Sequence, residues 1–287
     1  MVRRNKKINA LTIDVEDYFQ VFAFEEQVHF DTWESRESRV EENTLRILDL
    51  LGKGGVQATF FMLGWVAQRH PKLCRRILEQ GHELASHGWR HIRADRQTPE
   101  AFYDDVYRTR MTLEEIGGVA VLGYRAATYS IGAGNLWALE VLKKAGYRYS
   151  SSIYPIRHDF YGMPEASRWP FWPRVEGVVE IPVATAEIFG RRLPCGGGGY
   201  FRLFPYDLSR WAWQRLNQVE DRSGVFYFHP WELDPGQPRL SGVSVRTRLR
   251  HYLNLTRMEA RLGRLLGDFS WDRMDRVFSD VIFGKSS

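Results

Sequence analysis

Hydrophobic positions along the chain change period repeatedly, and each change marks an element. Residues 8–14 (INALTID) form a short apolar run of the buried-strand kind. In SRVEENTLRILDLLGKGG, apolar residues return at helical spacing (Leu45, Ile47, Leu48, Leu50, Leu51) and stop at Gly52–Gly55, which predicts a helix. VQATFFML predicts a strand, HPKLCRRILEQG a helix closed by Gly81, and HELASH a strand. TPEAFYDDVYRTRMTLEEIGG predicts a helix capped by Thr98, with Pro99 at its first position and a Gly pair at its end. AVLGYR, GNLWALEVLKKAG and YRYSSS continue as strand, helix and strand. Strand then helix, four times over, predicts an α/β fold with a parallel sheet wrapped by helices. A (β/α) barrel or partial barrel is favoured over a dinucleotide-binding sheet. No GxGxxG follows the first strand, and polar residues gather at strand C-terminal ends, where such barrels place their chemistry.

From about residue 155 the pattern loosens. IRHDFYGMPEASRWPFWPRVEG reads as an irregular loop and VVEIPV as a strand. CGGGGYFRLFPY is expected to bend sharply, its glycines taking positive φ. YDLSRWAWQRLNQ predicts a helix, GVFYFHP a strand ending in a histidine, and the tail from about Ser244 reads as helical.

Composition narrows the classes. Hydrophobic residues make up 44% and charged residues 26%, which excludes disorder as the main state. An aromatic share of 14% fits core packing first and stacking on sugar rings second, with Trp169–Pro173 and Trp211–Trp213 as the candidate platforms. The net charge is 40 − 35 = +5, but the basic residues are scattered among acids and no recognition motif accompanies them. No nucleic-acid partner is expected; a solvated surface, or an anionic partner such as a phosphorylated carrier or a membrane face, fits better. Cys74 and Cys195, the two cysteines, lack metal spacing and point to a reducing compartment. The basic N-terminus is followed by too short an apolar run, interrupted by Asp14, for a signal peptide, and no stretch reaches the length of a transmembrane segment. A cytoplasmic location is the expectation, with peripheral membrane contact left open.

The chemistry gathers at predicted strand ends. In Ser86-His87-Gly88-Trp89-Arg90-His91 two histidines stand four apart, as on one face of a helical turn, where both imidazoles reach one metal. Asp14, Glu16 and Asp17 in TIDVED can supply the acidic ligand. Asp14 and Glu16 share a strand face; Asp17 is the alternative to Glu16 if the strand breaks early. Arg125 in GYRAATYS and His229 in FYFHPWE lie just past two further strands, and together these residues make a hydrolase set.

In TIDVEDYF, ATFFMLGWVA, GHELASHGWRH, GYRAATYSI, SSSIYPIRHDFYG and FYFHPWELD the sequence resembles the polysaccharide deacetylases of carbohydrate esterase family 4, the NodB-homology domain, in the branch associated with exosortase and exopolysaccharide genes. The resemblance implies a distorted (β/α) barrel over residues 1–240 and a helical C-terminal extension over 241–287 packed on it. It implies an N-deacetylase that uses a divalent metal, zinc by expectation, on a polysaccharide or lipid-linked oligosaccharide. By resemblance Asp14 is the catalytic base, Arg125 holds its carboxylate, His87 and His91 bind the metal with Glu16 or Asp17, and His229 protonates the leaving amine. Thr128, Tyr129 and Trp231 are implied to meet substrate, with the backbone N–H near Thr128 stabilising an oxyanion. Two positions depart from the family. Ala127 replaces a proline, which loosens that turn, and Ser150 replaces an aspartate that tunes the acid histidine, a role left to Asp159 or Glu232. A related cyclic amide hydrolase resembling allantoinase and a non-catalytic glycan-binding protein are the other two classes.

Overall fold

The computed structural model describes residues 7–173 and 176–284, so most of the basic N-terminal run lies outside them. The elements follow in the order β1 (Ile8–Val15), α1 (Val40–Gly54), β2 (Thr59–Met62), α2 (Gly64–Arg69), α3 (Pro71–Glu79), β3 (Glu83–Ser86), α4 (Pro99–Gly117), β4 (Gly123–Tyr124), α5 (Trp137–Lys144) and β5 (Tyr149–Ser150). β6 (Val179–Glu180) follows, then a hairpin of β7 (Thr185–Ile188) and β8 (Arg191–Pro194), then α6 (Gly198–Leu203), α7 (Tyr206–Gln214) and β9 (Val225–Phe228). The tail adds α8 (Val245–Tyr252), α9 (Leu255–Asp268) and β10 (Ser270–Asp272).

The main sheet is parallel in every pairing and curls into a half-barrel in the order β10-β1-β2-β3-β4-β5-β6, with β9 on β1. β1 is its axis: Ile8–Ala10 pair with β10, Ala10–Ile13 with β9 and Thr12–Val15 with β2. Both faces of a parallel sheet are covered, so its strands read as continuous apolar runs. Ala10, Phe61, Ala85, Tyr149, Val179 and Val225 fill the concave side, whereas Leu11, Ile13, Phe60 and Leu84 pack under the helices. Alternation therefore carries Thr12, Asp14 and Glu16 to the concave side above Ala10.

Local signals act as the sequence predicts in α1 and α4. Val40, Ile47, Leu48 and Leu51 form the buried stripe of α1, and Gly55 ends it at φ 60°. Thr98 Oγ1 accepts from Ala101 N–H at 3.2 Å to start α4, and Gly118 ends it at φ 66°. Two expectations fail. The tail is not wholly helical: β10 completes the foot of the sheet, and Met274, Phe278 and Ile282 plug the concave side below Ala10. The glycines at 196–199 do not take positive φ. Three of them are required by close approach, since a Cβ would lie 2.5 Å from Val225 O at Gly196, 2.9 Å from the Tyr227 ring at Gly197 and 2.3 Å from Glu232 Oε1 at Gly198, while a Cβ at Gly199 would meet open space. Trp213 is core, packed on Phe226, Phe269 and Trp271, while Trp172 and Trp211 are exposed.

Candidate active site

The C-terminal ends of β1 and β3 bring the first group together. Glu16 Oε, His87 N and His91 N atoms lie within 4.8 Å of one another, a spacing that one cation fits. His87 directly follows β3. Its Nδ1 lies 2.8 Å from Arg125 O, and donation to that carbonyl fixes the tautomer and leaves Nε2 for ligation. Burial pushes the His87 pKa down to about 4, so the neutral, ligating imidazole prevails. His91 reaches the same point by a route the sequence did not suggest. The 87–91 segment is no helical turn; Gly88 at φ 76° and His91 at φ 58° fold the loop back until the two rings sit 5.2 Å apart.

The donor set fits a metal on a specific observation. Glu16 Oε2 is buried and no hydrogen bond takes it up, although His91 Nε2 stands 3.0 Å away. Two such groups aimed at shared space without an aligned bond are what a shared cation satisfies. Burial would raise the Glu16 pKa, but His91, His229 and His87 outweigh it and bring it to about 2. Asp17, the alternative acid, is not part of this group. Its Oδ2 accepts from Ser38 Oγ and from the Arg39 and Val40 N–H groups, and its Oδ1 from Tyr18 N–H, so it anchors the start of α1.

Arg125, just past β4, is fully buried under the site. Its Nη1 donates to Asp14 Oδ1 at 2.6 Å and to Thr12 Oγ1 at 2.7 Å, and its Nε and Nη2 donate to Ser151 O and Oγ. One residue thus aims the Asp14 carboxylate through its side chain and His87 through its carbonyl. The loop beyond is strained: Thr128 and Tyr129 have φ of 55° and 50°. For a β-branched and an aromatic residue this costs ~1–3 kcal/mol each. Ala127 does not leave the turn loose, because Ser130 Oγ donates to Ala127 O and accepts from Ala94 N–H, while Ala126 N–H donates to Ser152 Oγ. Tyr129 is covered by Tyr154, Tyr161 and Tyr227, so its ring is a wall of the site rather than an open contact.

The second group hangs from the end of β9. His229 Nε2 lies 4.0 Å from Asp14 Oδ2 and 3.6 Å from Glu16 Oε1. Its Nδ1 lies 2.8 Å from Glu232 Oε1, which also accepts the His229 N–H at 3.0 Å. Glu232 Oε2 in turn accepts from Arg202 Nε at 2.6 Å. Arg202 is buried and donates onward to the carbonyls of Arg250, His251 and Leu253 at the end of α8. Burial opposes the imidazolium of His229, but the Glu232 hydrogen bond and the charges of Glu16, Glu232 and Asp14 prevail, raising its pKa to about 9. Trp231 is stacked between His229 and His251, and its Nε1–H donates to Glu16 Oε1 at 3.2 Å. It steadies the Glu16 carboxylate while also lining the adjacent cleft. Asp159 is held at the surface by Arg246 and Arg250, which leaves Glu232 as the partner of His229. Arg202 and Gly198 escaped the sequence reading. The signal for Glu232 was present in His-Pro-Trp-Glu, a glutamate three residues after the residue that starts the 230–233 turn, which forms a capping box.

Residues 22–150 match the polysaccharide deacetylase family model, and residues 151–279 match a domain of unknown function (DUF3473). His87, His91 and Arg125 fall in the first match, His229, Glu232 and Arg202 in the second, and Asp14 and Glu16 just ahead of both. A Bacillus cereus peptidoglycan-N-acetylglucosamine deacetylase is 38% identical over 63 residues, 22% of this chain and 30% of the relative. A Bradyrhizobium chitooligosaccharide deacetylase is 31% identical over 96 residues, 33% of this chain and 42% of the relative. The chain therefore aligns with less than half the length of either. A Mycobacterium smegmatis structure described as a candidate polysaccharide deacetylase superposes over 100% of this chain and 94% of its own, with TM-score 0.63 and 20% identity, a likeness of fold. Residues 22–150, which carry the two metal-spaced histidines and strands β2 to β5 of the curled sheet, are thus similar to the polysaccharide deacetylases.

Proposed function

We propose that this chain is a metal-dependent N-deacetylase acting on an amino-sugar unit of an exopolysaccharide or its lipid-linked precursor. The observation that carries the reading is the convergence of Glu16, His87 and His91 with an arginine-held Asp14 and a carboxylate-held His229. When bound by the triad, a divalent cation, zinc by the N/O character of the donors, supplies Lewis acidity toward water and the acetyl carbonyl. Asp14, held on Oδ1 by Arg125, keeps Oδ2 to take the proton from the attacking water. The Thr128 N–H, presented by the strained loop, donates to the oxygen on which charge develops. His229 Nε2 delivers a proton to the sugar nitrogen as the C–N bond breaks, and Glu232 keeps that imidazole charged until then. The products are acetate and a free amine. The full set of groups supports a hydrolase over a glycan-binding protein, and the triad supports this amidase over a metal-free cyclic amide hydrolase. Two free, buried cysteines agree with a cytoplasmic location, and no helix among the described residues is long and apolar enough to cross a membrane.

The test is acetate release from defined N-acetylated oligosaccharides before and after chelation. Release that stops with chelator and returns on adding zinc is expected. Turnover that persists without metal, or no release from any N-acetylated sugar, overturns the reading.

A further inference from the structure

Beside Tyr227 and Trp231 the site opens into a cleft of about 370 Å³, walled by Val21, Tyr161, Tyr200, Leu203, Leu249 and Leu253. Its size is that of a small-molecule site, yet its mouth is unlike a sugar cleft. Apolar side chains stand in solvent around it: Phe160 is 41% exposed, Leu203 54% and Leu249 60%, and Val245, one turn before Leu249 on α8, is 73% exposed. Single exposed apolar residues are ordinary, but a cluster at one opening marks a contact surface.

The polar groups around this cluster are cationic. From Pro235 to Met258 the chain carries Arg239, Arg246, Arg248, Arg250 and Arg257 and no Asp or Glu. Arg246, Arg248 and Arg250 alternate with Val245 and Leu249 along α8. Asp159 faces the helix and pairs with Arg246 at 2.6 Å and Arg250 at 2.9 Å, offsetting one charge; Arg248 makes no ion pair among the described residues. An apolar strip edged by arginine is complementary to an anionic headgroup layer over hydrocarbon. A second copy of the chain would set the same arginines against each other, and a neutral glycan would leave both the strip and the charges unanswered.

We propose that α8 and the cleft mouth dock on an anionic phospholipid bilayer, with Phe160, Leu203, Val245 and Leu249 entering the acyl boundary and the α8 arginines meeting the phosphates. Docked in this way, the cleft and the His229 side of the site face a saccharide still attached to membrane lipid. This consequence rests on the deacetylase reading; the binding itself does not.

The test is sedimentation of the full chain with phosphatidylcholine vesicles, with and without phosphatidylglycerol, at low and high salt. Binding to the anionic vesicles that falls with salt is expected. Val245→Glu with Leu249→Glu removes it, Leu203→Ser weakens it, and Arg246→Glu with Arg248→Glu lowers affinity by at least about fivefold per arginine. All three variants keep the thermal midpoint of the parent chain, and the Arg246/Arg248 variant, whose side chains lie outside the cleft walls, also keeps its acetate release from soluble oligosaccharides. Equal binding to both vesicle types, binding to neither, or binding that survives the Val245/Leu249 change overturns the proposal. Vesicle binding without turnover on any N-acetylated sugar leaves the docking surface standing and removes the deacetylase reading; turnover without vesicle binding does the reverse.

Discussion

The two walls of the site are made from different parts of the chain and held by different physics. The Glu16, His87 and His91 wall is a product of topology. Parallel strands end on one side of a curled sheet, and side chains just past β1 and β3 meet there with one arginine as their common support. The His229 wall is a product of a buried ionic chain. Glu232 holds the imidazole, Arg202 holds Glu232, and the end of α8 holds Arg202. The first wall rests on one buried pair, Asp14 with Arg125, and the second on two in series, His229 with Glu232 and Glu232 with Arg202; removing one partner of a buried pair leaves a charge without compensation, at about 3–5 kcal/mol. The C-terminal segment is thereby tied by hydrogen bonds to the residues that hold His229.

The largest separation of the walls comes from His87→Ala or His91→Ala. Each is expected to bring bound divalent metal to background in elemental analysis and to lower turnover by about 10⁴-fold or more, since the whole Lewis-acid contribution goes. His229→Ala leaves metal content unchanged and lowers turnover by about 10²–10⁴-fold. Metal lost from the His229 variant would mean that the walls are not separable.

Glu16→Ala and Asp17→Ala sharpen the metal wall. Zinc titration is expected to fail for Glu16→Ala and to remain intact for Asp17→Ala. The latter loses stability instead, by about 1–3 kcal/mol, because buried N–H groups of Arg39 and Val40 lose their acceptor. A reversed order of zinc affinities would return the ligand role to Asp17.

The same contrast explains what the sequence could tell. The convergence of Asp14, Glu16, His87 and His91 was legible because strand alternation puts Asp14 and Glu16 on one face and because the fold's strand ends meet. Even there the His87–His91 spacing suggested a helical turn, while a left-handed glycine and a left-handed histidine do the folding. The His229 wall was half legible. His229 ends a plain strand, but its partner was left between Asp159 and Glu232, since nothing local says which carboxylate is buried. Arg202 is a long-range contact, 30 residues from Glu232, with no periodic signature. The CGGGGY run looked like backbone freedom, whereas Gly198 is small because the Glu232 carboxylate lies against it.

Gly198→Ala is the finer probe of that packing. The new methyl would meet Glu232 Oε1 at 2.3 Å, so the carboxylate must move off His229. His229 then loses part of what raises its pKa to about 9, and if it is the acid the alkaline limb of the pH–rate profile moves to lower pH with metal content unchanged. An unmoved limb would separate Glu232 from the acid function. Arg202→Met is expected to act on the same limb and to lower the thermal midpoint as well, because it strands Glu232.

The smallest effect on rate is expected at Ser150, where the family resemblance suggested a missing aspartate. Restoring a carboxylate there would raise the histidine pKa only if it stood beside His229. Alternation on β5 argues otherwise. Tyr149 packs on the concave side and Ser151 bonds Arg125 there, so Ser150 faces away, with its hydroxyl 2.8 Å from Ser152 Oγ. Its neighbour on that face is Glu180, whose pKa burial already raises to about 7. In Ser150→Asp a second carboxylate would enter the same buried space, and two like charges there cannot both ionise cheaply. The expected outcome is a lowered thermal midpoint that recovers as pH falls and the added carboxyl protonates, with the alkaline limb of the rate profile where it was. Native pKa values above those of the unfolded chain give this sign: the native carboxyls hold protons that the unfolded ones release, so stability declines as pH rises. A limb that moves upward in Ser150→Asp, with stability unchanged, would show that position 150 communicates with His229 and that Glu232 does not act alone.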